Sequence, residues 1–486
     1  MPSDAPPDRS GARVSPPAFD VGLLSPVSVG HDALVSDEAV LDALVAVEVA
    51  LVRAYGEVGV APAAVVADVS ATLGWQYEGR GCRGHGIDAV ALAEAAVSGG
   101  NPVIPLVAEL KARVPETARA WVHRGATSQD ILDSALMLVA YGSGREVLRN
   151  LRRTEAELAG FAREHAEDVA AARTLTQHAV PTTVGLRAAV WLRGVQRAAA
   201  RLESAVVALP AQLGGAGGTL AAIVETVGAD AAARLSEPFA DALGLAVPDA
   251  PWHTSRWPVT ELGDSLVQAI DAVGKIATDV ATLSRTEIGE LAEGAAGGSS
   301  AMPQKRNPAG SVLIRSAAMR APQLGATLHL ASALAADERP DGSWHAEWPT
   351  LRELLRLALG ATANAARVVG GLSVDRAAVA RNLDLTGALI VSERLSLTLV
   401  PLIGRARFAA LVAEASGGAD LADLVRALPE AVDLDVDALV DPAHYLGLAH
   451  SYLDSALREP GPQNDSAQND SAQYDPAQHD NPEVLS

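Results

Sequence analysis

The stretch from Ser128 to His165 opens Ser128-Gln129-Asp130-Ile131-Leu132-Asp133-Ser134-Ala135-Leu136-Met137-Leu138 and continues through Val147, Leu151 and Leu158. Its apolar residues recur with helical spacing, which predicts one helix from about Ser128 to His165, weakest at Gly142 and Gly144. Three more long helices are predicted. One runs from Gly185 to Leu209; one starts at Pro258, a favourable first-turn residue, and continues to about Gly294; one opens at Pro308 and runs toward Ala336, kinked at Pro322. Long helices rich in Ala and Leu, apolar around much of their circumference, are hard to bury in one small domain, and an oligomeric bundle buries them. The expected fold class is all-α.

Composition agrees. Of 486 residues 49% are apolar but only 3% aromatic, so the core is built from Ala, Leu and Val, which is helix-bundle material. Residues 1–17 read as a flexible leader rich in Pro, Ser and Asp. Residues 18–118 read as a first helical domain, with Ser36 as N-cap of a helix that stops near Gly59 to Pro62. The central bundle occupies 119–370. A third, capping domain spans 371–460, broken at Gly387, Gly404 and Gly417. Residues 461–486 form a pentad-like polar repeat with too little apolar content to offset the entropy of ordering, and are expected to be disordered.

A net charge of −21 disfavours nucleic acid and anionic membrane as partners, and makes any anion site a local cluster of cations and backbone N–H groups. One cysteine, Cys82, suits a reducing cytoplasm. No export signal or membrane span is indicated, because charge interrupts each long apolar run. No Cys/His/Asp cluster has metal-ligand spacing, and Gly214-Gly215-Ala216-Gly217-Gly218 lacks the Lys-Ser/Thr of a phosphate loop, so no cofactor is expected.

Chemistry concentrates in Gly297-Gly298-Ser299-Ser300-Ala301-Met302-Pro303-Gln304-Lys305-Arg306-Asn307-Pro308. Glycine pairs mark helix connections, and such a loop also suits closure over a substrate. Its consecutive N–H groups can hold an anion or stabilise a serine alkoxide that takes a proton from carbon. Lys305 adds positive charge, and Asn307 a neutral donor for a developing enolate oxygen. The string resembles the signature loop of the fumarase, aspartase and adenylosuccinate lyase superfamily, which implies that Ser299 is the catalytic base and that Ser300 and Met302 line the substrate.

Two further blocks extend the resemblance. His123-Arg124-Gly125-Ala126-Thr127-Ser128-Gln129-Asp130 offers hydroxyls and free N–H groups at a helix start, with Arg124 beside them; a plain N-cap fits these residues equally well. The resemblance makes it a carboxylate clamp, with His123 an orienter or donor. Arg173-Thr174-Leu175-Thr176-Gln177-His178 resembles the second block, implying substrate contacts from Arg173, Gln177 and His178. Here the chain departs from its relatives. Fumarases and adenylosuccinate lyases have a histidine where Leu175 stands and a glutamate where Val312 stands, so both halves of one acid–base dyad are absent together. Asn101 replaces the phosphate-binding histidine of adenylosuccinate lyases, which points away from a nucleotide.

A carboxylate leaving group, with a pKa of ~4, departs without a general acid, unlike an amine or hydroxide. Trp252-His253-Thr254-Ser255-Arg256, Asp337-Glu338-Arg339, Trp344-His345-Ala346-Glu347-Trp348 and Asn382-Leu383-Asp384-Leu385-Thr386-Gly387 are similar to strings of the bacterial 3-carboxy-cis,cis-muconate cycloisomerases, and add Arg339 to the substrate contacts. The resemblance implies a homotetramer with shared active sites and a small polycarboxylate substrate. It implies interconversion of 3-carboxy-cis,cis-muconate and 4-carboxymuconolactone. A β-elimination lyase releasing nitrite from nitrosuccinate accommodates the missing dyad equally. A catalytically silent homologue has no chemical need for Ser299, Lys305 and Asn307 together.

Overall fold

The computed structural model describes residues 20–76, 81–294, 297 and 302–458; the leader, the tail repeat, Ser299 and Ser300 lie outside the described residues. The N-terminal part holds α1 (Asp37–Glu57), α2 (Ala63–Thr72), the short pair β1 (Trp75–Gln76) and β2 (Gly81–Cys82), α3 (Ala89–Gly99) and α4 (Val103–Arg113). Ser36 caps α1 as expected, its hydroxyl accepting from the Ala39 N–H at 3.2 Å. Next come α5 (Ser128–Glu164), the antiparallel hairpin β3 (Val169–Thr174) and β4 (Gln177–Thr183), and α6 (Val184–Val207). Three short helices, α7 (Ala221–Val227), α8 (Ala229–Ala233) and α9 (Ser236–Leu243), lead to α10 (Trp257–Leu283). Then follow β5 (Leu291–Ala292), α11 (Ala309–Ala333), α12 (Ser343–Gly370) and β6 (Ser373–Val374). The chain closes with α13 (Arg376–Leu383), α14 (Ser392–Ser416), α15 (Leu421–Arg426), α16 (Val436–Val440) and α17 (Ala449–Leu457).

Among the described residues the fold is all-α apart from three two-stranded pairs. Two long helices depart from expectation. α10 ends at Leu283, well short of Gly294, because the chain turns at Gly289 (φ 65°) so that β5 can pair antiparallel with β6, Leu291 opposite Val374. α12, 28 residues long, has no counterpart among the expected helices: Pro349 lies inside it and reads as a helix break, yet buried Leu351, Leu354, Leu355, Ala358 and Leu359 hold the helix together.

α5, α10 and α12 run parallel, as charge pairs near their starts show. Arg256, just before α10, is buried between Asp133 of α5 and Glu347 of α12. Its Nη1 donates to Asp133 Oδ2 at 2.7 Å and its Nη2 to Glu347 Oε2 at 2.7 Å. The Trp344 indole N–H adds a bond to Asp133 Oδ1 at 2.9 Å. At the far end Gly370 of α12 lies against the Glu157 side chain of α5. α6 and α11 return between them. Burial raises the Glu347 carboxyl pKa, against the pull of Arg256.

A second core gathers Ile390, Val391, Leu395, Leu399, Leu421 and Val425, while α17 returns to the main core through Leu453 and Ala456. The run Arg376–Ser416 is long and apolar enough to cross a membrane by length and composition. Non-helical backbone at Gly387 and Gly404 breaks it into pieces, so it forms no continuous rod.

Arg256→Met is expected to strand two buried carboxylates and to cost about 3–5 kcal/mol of stability. Denaturant unfolding of the two proteins measures it.

Candidate active site

The first block is a corner between the N-terminal part and α5. His123 takes a left-handed backbone (φ 59°), followed by Gly125 (φ 71°), where a Cβ would come within 2.4 Å of the Ile223 side chain and 3.3 Å of its backbone nitrogen. Only glycine fits. Asp130, fully buried in the first turn of α5, fastens the corner. Its Oδ2 accepts from the N–H groups of Thr127 at 3.0 Å and Gly215 at 2.9 Å. Its Oδ1 accepts from Gly214 at 2.8 Å and from His253 Nε2 at 2.8 Å. A carboxylate only accepts, so His253 presents its Nε2 proton. The glycine-rich loop that lacks a phosphate-loop signature thus serves here as a strap over the start of α5.

Thr127, the N-cap, turns its hydroxyl to Arg339, whose Nη1 donates to it at 2.6 Å while Nη2 reaches the Ala216 carbonyl at 2.9 Å. Arg124 stacks over Trp121, 4.5 Å from the ring centre. Among the described residues no carboxylate pairs with Arg124 or Arg339. His123 Nδ1 meets Glu48 Oε1 at 2.7 Å. Asn101, at the α3–α4 turn, accepts from the Val103 N–H at 3.1 Å, and the adjoining Gly100 faces the exposed His345. His123, Arg124, Thr127, Ser128, Arg339 and Asn101 therefore share one end of the bundle.

The second block is the β3–β4 hairpin. Thr174 pairs with Gln177, leaving a two-residue turn of Leu175 (φ 49°) and Thr176 (φ 72°). Positive φ at both central positions suits Asn-Gly, and a leucine with a β-branched threonine strains it. Leu175 is 97% exposed. Arg173 is held by the buried Glu290, its Nη2 donating to Oε1 at 2.5 Å, and Asn382 Nδ2 donates to the same oxygen at 2.9 Å. His178 contacts Thr386 Oγ1 at 3.4 Å, and burial and the Arg173 charge lower its pKa. Gln177 is exposed and donates to Thr176 Oγ1 at 3.3 Å.

The signature loop hangs from one antiparallel bridge. Gly297 and Asn307 exchange two backbone hydrogen bonds of 2.9 Å each. Glu293, buried, staples the far side by accepting from Gly310 N at 3.0 Å and Ser311 N at 2.8 Å, at the N-terminus of α11. Met302 and Lys305 are exposed, and Val312, at the dyad glutamate's position, is 52% exposed. The loop and hairpin share the end opposite the first block. α5, which joins the two blocks, has 37 residues, a separation of about 55 Å at 1.5 Å per residue.

A family model described as Lyase matches residues 36–322. The chain is a lyase of the fumarase/aspartase superfamily. This lyase is 45% identical to a nitrosuccinate lyase of Streptomyces davaonensis, covering 91% of this chain and 95% of that one. It is 40% identical to a 3-carboxy-cis,cis-muconate cycloisomerase of Pseudomonas aeruginosa, covering 88% and 93%. The crystal structure of 3-carboxy-cis,cis-muconate lactonizing enzyme from Pseudomonas putida superposes with a TM-score of 0.78 at 34% identity, over 87% of this chain and 94% of that chain. The lyase is thus an enzyme of a superfamily whose members act on small polycarboxylates.

Glu48, Glu293 and Glu290 escaped the sequence reading, because a lone acid in an apolar run or beside a loop has no local signature. Replacing Leu175-Thr176 by Asn-Gly in the lyase is expected to relieve the turn and stabilise the fold by about 1–3 kcal/mol. Thermal unfolding of the variant checks it.

Proposed function

We propose that this lyase interconverts 3-carboxy-cis,cis-muconate and 4-carboxymuconolactone. The observation that carries the reading is a set of cations without an acid partner among the described residues: Arg124 and Arg339 flank Thr127 and Ser128, and Lys305 stands on the signature loop, three charges for a tricarboxylate. The apolar pair Leu175 and Val312 supports a leaving group that departs unaided. In the lactonising direction an internal carboxylate oxygen adds to the conjugated double bond, electrons move to an enolate-like carboxylate, and the adjacent carbon takes one proton. Ser299 exchanges that proton, and Lys305 with Asn307 stabilises the enolate-like intermediate. Thr127, Ser128, Arg124, Arg339 and Gln177 hold carboxylates.

The separation of about 55 Å between the blocks supports a site completed by other copies of the chain, in a homotetramer. Exposed Leu175 and Val312, and Met319 and Leu330 on α11, offer apolar surface for such contacts. Coexpression of His123→Gln and Ser299→Ala chains is then expected to restore part of the activity that each lacks alone, since some mixed sites receive neither lesion. Failure to recover any activity counts against shared sites.

One observation favours a second reading, β-elimination of nitrite from nitrosuccinate: the nitrosuccinate lyase is more identical to this chain than the cycloisomerase is. There the carbon proton leaves first and nitrite departs with the C–N electron pair, giving fumarate. An ultraviolet assay of carboxymuconate and nitrosuccinate in parallel separates the two. Ser299→Ala is expected to lower kcat on the true substrate by about 10²–10⁴-fold. Turnover near the wild-type value in that variant overturns Ser299 as the base.

A further inference from the structure

Glu48 lies in the middle of α1, where Leu44 to Val47 and Val49 to Val52 are all buried, and is itself 1% exposed. A carboxylate in such a place needs a positive partner. Oε1 has one, His123 Nδ1 at 2.7 Å; Oε2 has no hydrogen-bond partner among the described residues. Seven residues on, hence on the same face of α1, the Tyr55 hydroxyl donates to the Arg124 carbonyl at 2.7 Å. Burial pushes the Tyr55 pKa up to about 12, so it stays a donor. One helix face therefore holds both the side chain of His123 and the backbone after it, in a left-handed conformation that histidine adopts only at a cost. The His123 side chain keeps 19% exposure, and among the described residues Nε2 has no protein partner.

We infer that Glu48 is a positioning residue that holds His123 as an imidazolium, presenting its Nε2 proton to a substrate carboxylate. This deepens the proposed function and rests on His123 facing the substrate. A histidine fixed in the charged form is a carboxylate holder and cannot serve as a base. The charged groups around the ring agree. Burial in the corner lowers its pKa most, but the Glu48 hydrogen bond and charge, with Asp130 of α5 behind, outweigh burial and Lys111 of α4, leaving the pKa raised. Arg124, next in the chain, turns its guanidinium to Trp121. Because the folded pKa exceeds the unfolded one, the pair stabilises the fold fully below about pH 6.5 and loses that contribution as pH rises through the folded value.

The test uses the full-length protein with ¹³C-labelled histidine, His123→Gln assigning the resonance. Wild-type His123 is expected to titrate above about 6.5, and Glu48→Gln to lower its pKa by one unit or more. With either true substrate, Glu48→Gln is expected to raise KM about tenfold at pH 7.5 with kcat changed less, and the KM rise with pH to begin earlier. Glu48→Asp, which keeps the charge but shortens the reach, is expected to be intermediate and covers the case in which the glutamine variant does not fold. An unaltered His123 pKa in folded Glu48→Gln, or in Glu48→Asp where the glutamine variant does not fold, overturns the inference. Loss of turnover on both substrates by the wild type overturns the proposed function alone, since the titration is read without substrate. A pKa that falls while KM and its pH profile stay unchanged overturns the carboxylate-holding role.

Discussion

A single buried carboxylate, Asp130, fastens the parts on which the first block depends. Four donors from three separate stretches converge on it, and in dry surroundings each bond it accepts is worth more than in water. The N-cap of α5, the glycine strap at 214–215 and the loop bearing His253 cannot move independently while it holds them. One turn further, Asp133 draws Arg256 and Glu347 into a second buried network, which sets α5, α10 and α12 parallel. The charges are costly to bury singly and tolerable only together, so removing one member of either network strands the others.

That rigidity has a consequence at the other end. Once α5 is straight and pinned at its start, the hairpin with Arg173 and His178 is carried to the far end of the bundle, beside the signature loop. Polar residues at the two ends cannot act on one small molecule within a single chain. Strain marks both ends: His123, Leu175 and Thr176 hold left-handed backbones that their side chains disfavour. Glu293 and the Gly297–Asn307 bridge fix the two ends of the loop between them.

Two apolar residues carry much of the chemical argument. Leu175 at the strained turn and Val312 in the first turn of α11 are exposed in the chain, where related lyases place a proton-transferring pair. Single exposed apolar side chains are ordinary on a protein surface, so the weight of these two lies in the proton transfer that neither can perform.

The sequence by itself determined the helical class, the capped start of α1, the extents of α5, α6 and α11 to within a few residues, and the positions of the first block at the start of α5 and of the signature loop before α11. Each has a local cause: repeating apolar spacing, a capping hydroxyl, glycines before hydroxyls. The tertiary structure alone decided where α10 stops, because β5 must pair with β6 from more than eighty residues away, and that α12 runs through Pro349, because packing outweighs one lost hydrogen bond. It alone decided the partners of His123, Arg173 and Thr127 as well. Those partners, Glu48, Glu290 and Arg339, lie far off in the chain, and a carboxylate or guanidinium finds its opposite through the fold, with no trace in the spacing of neighbouring residues.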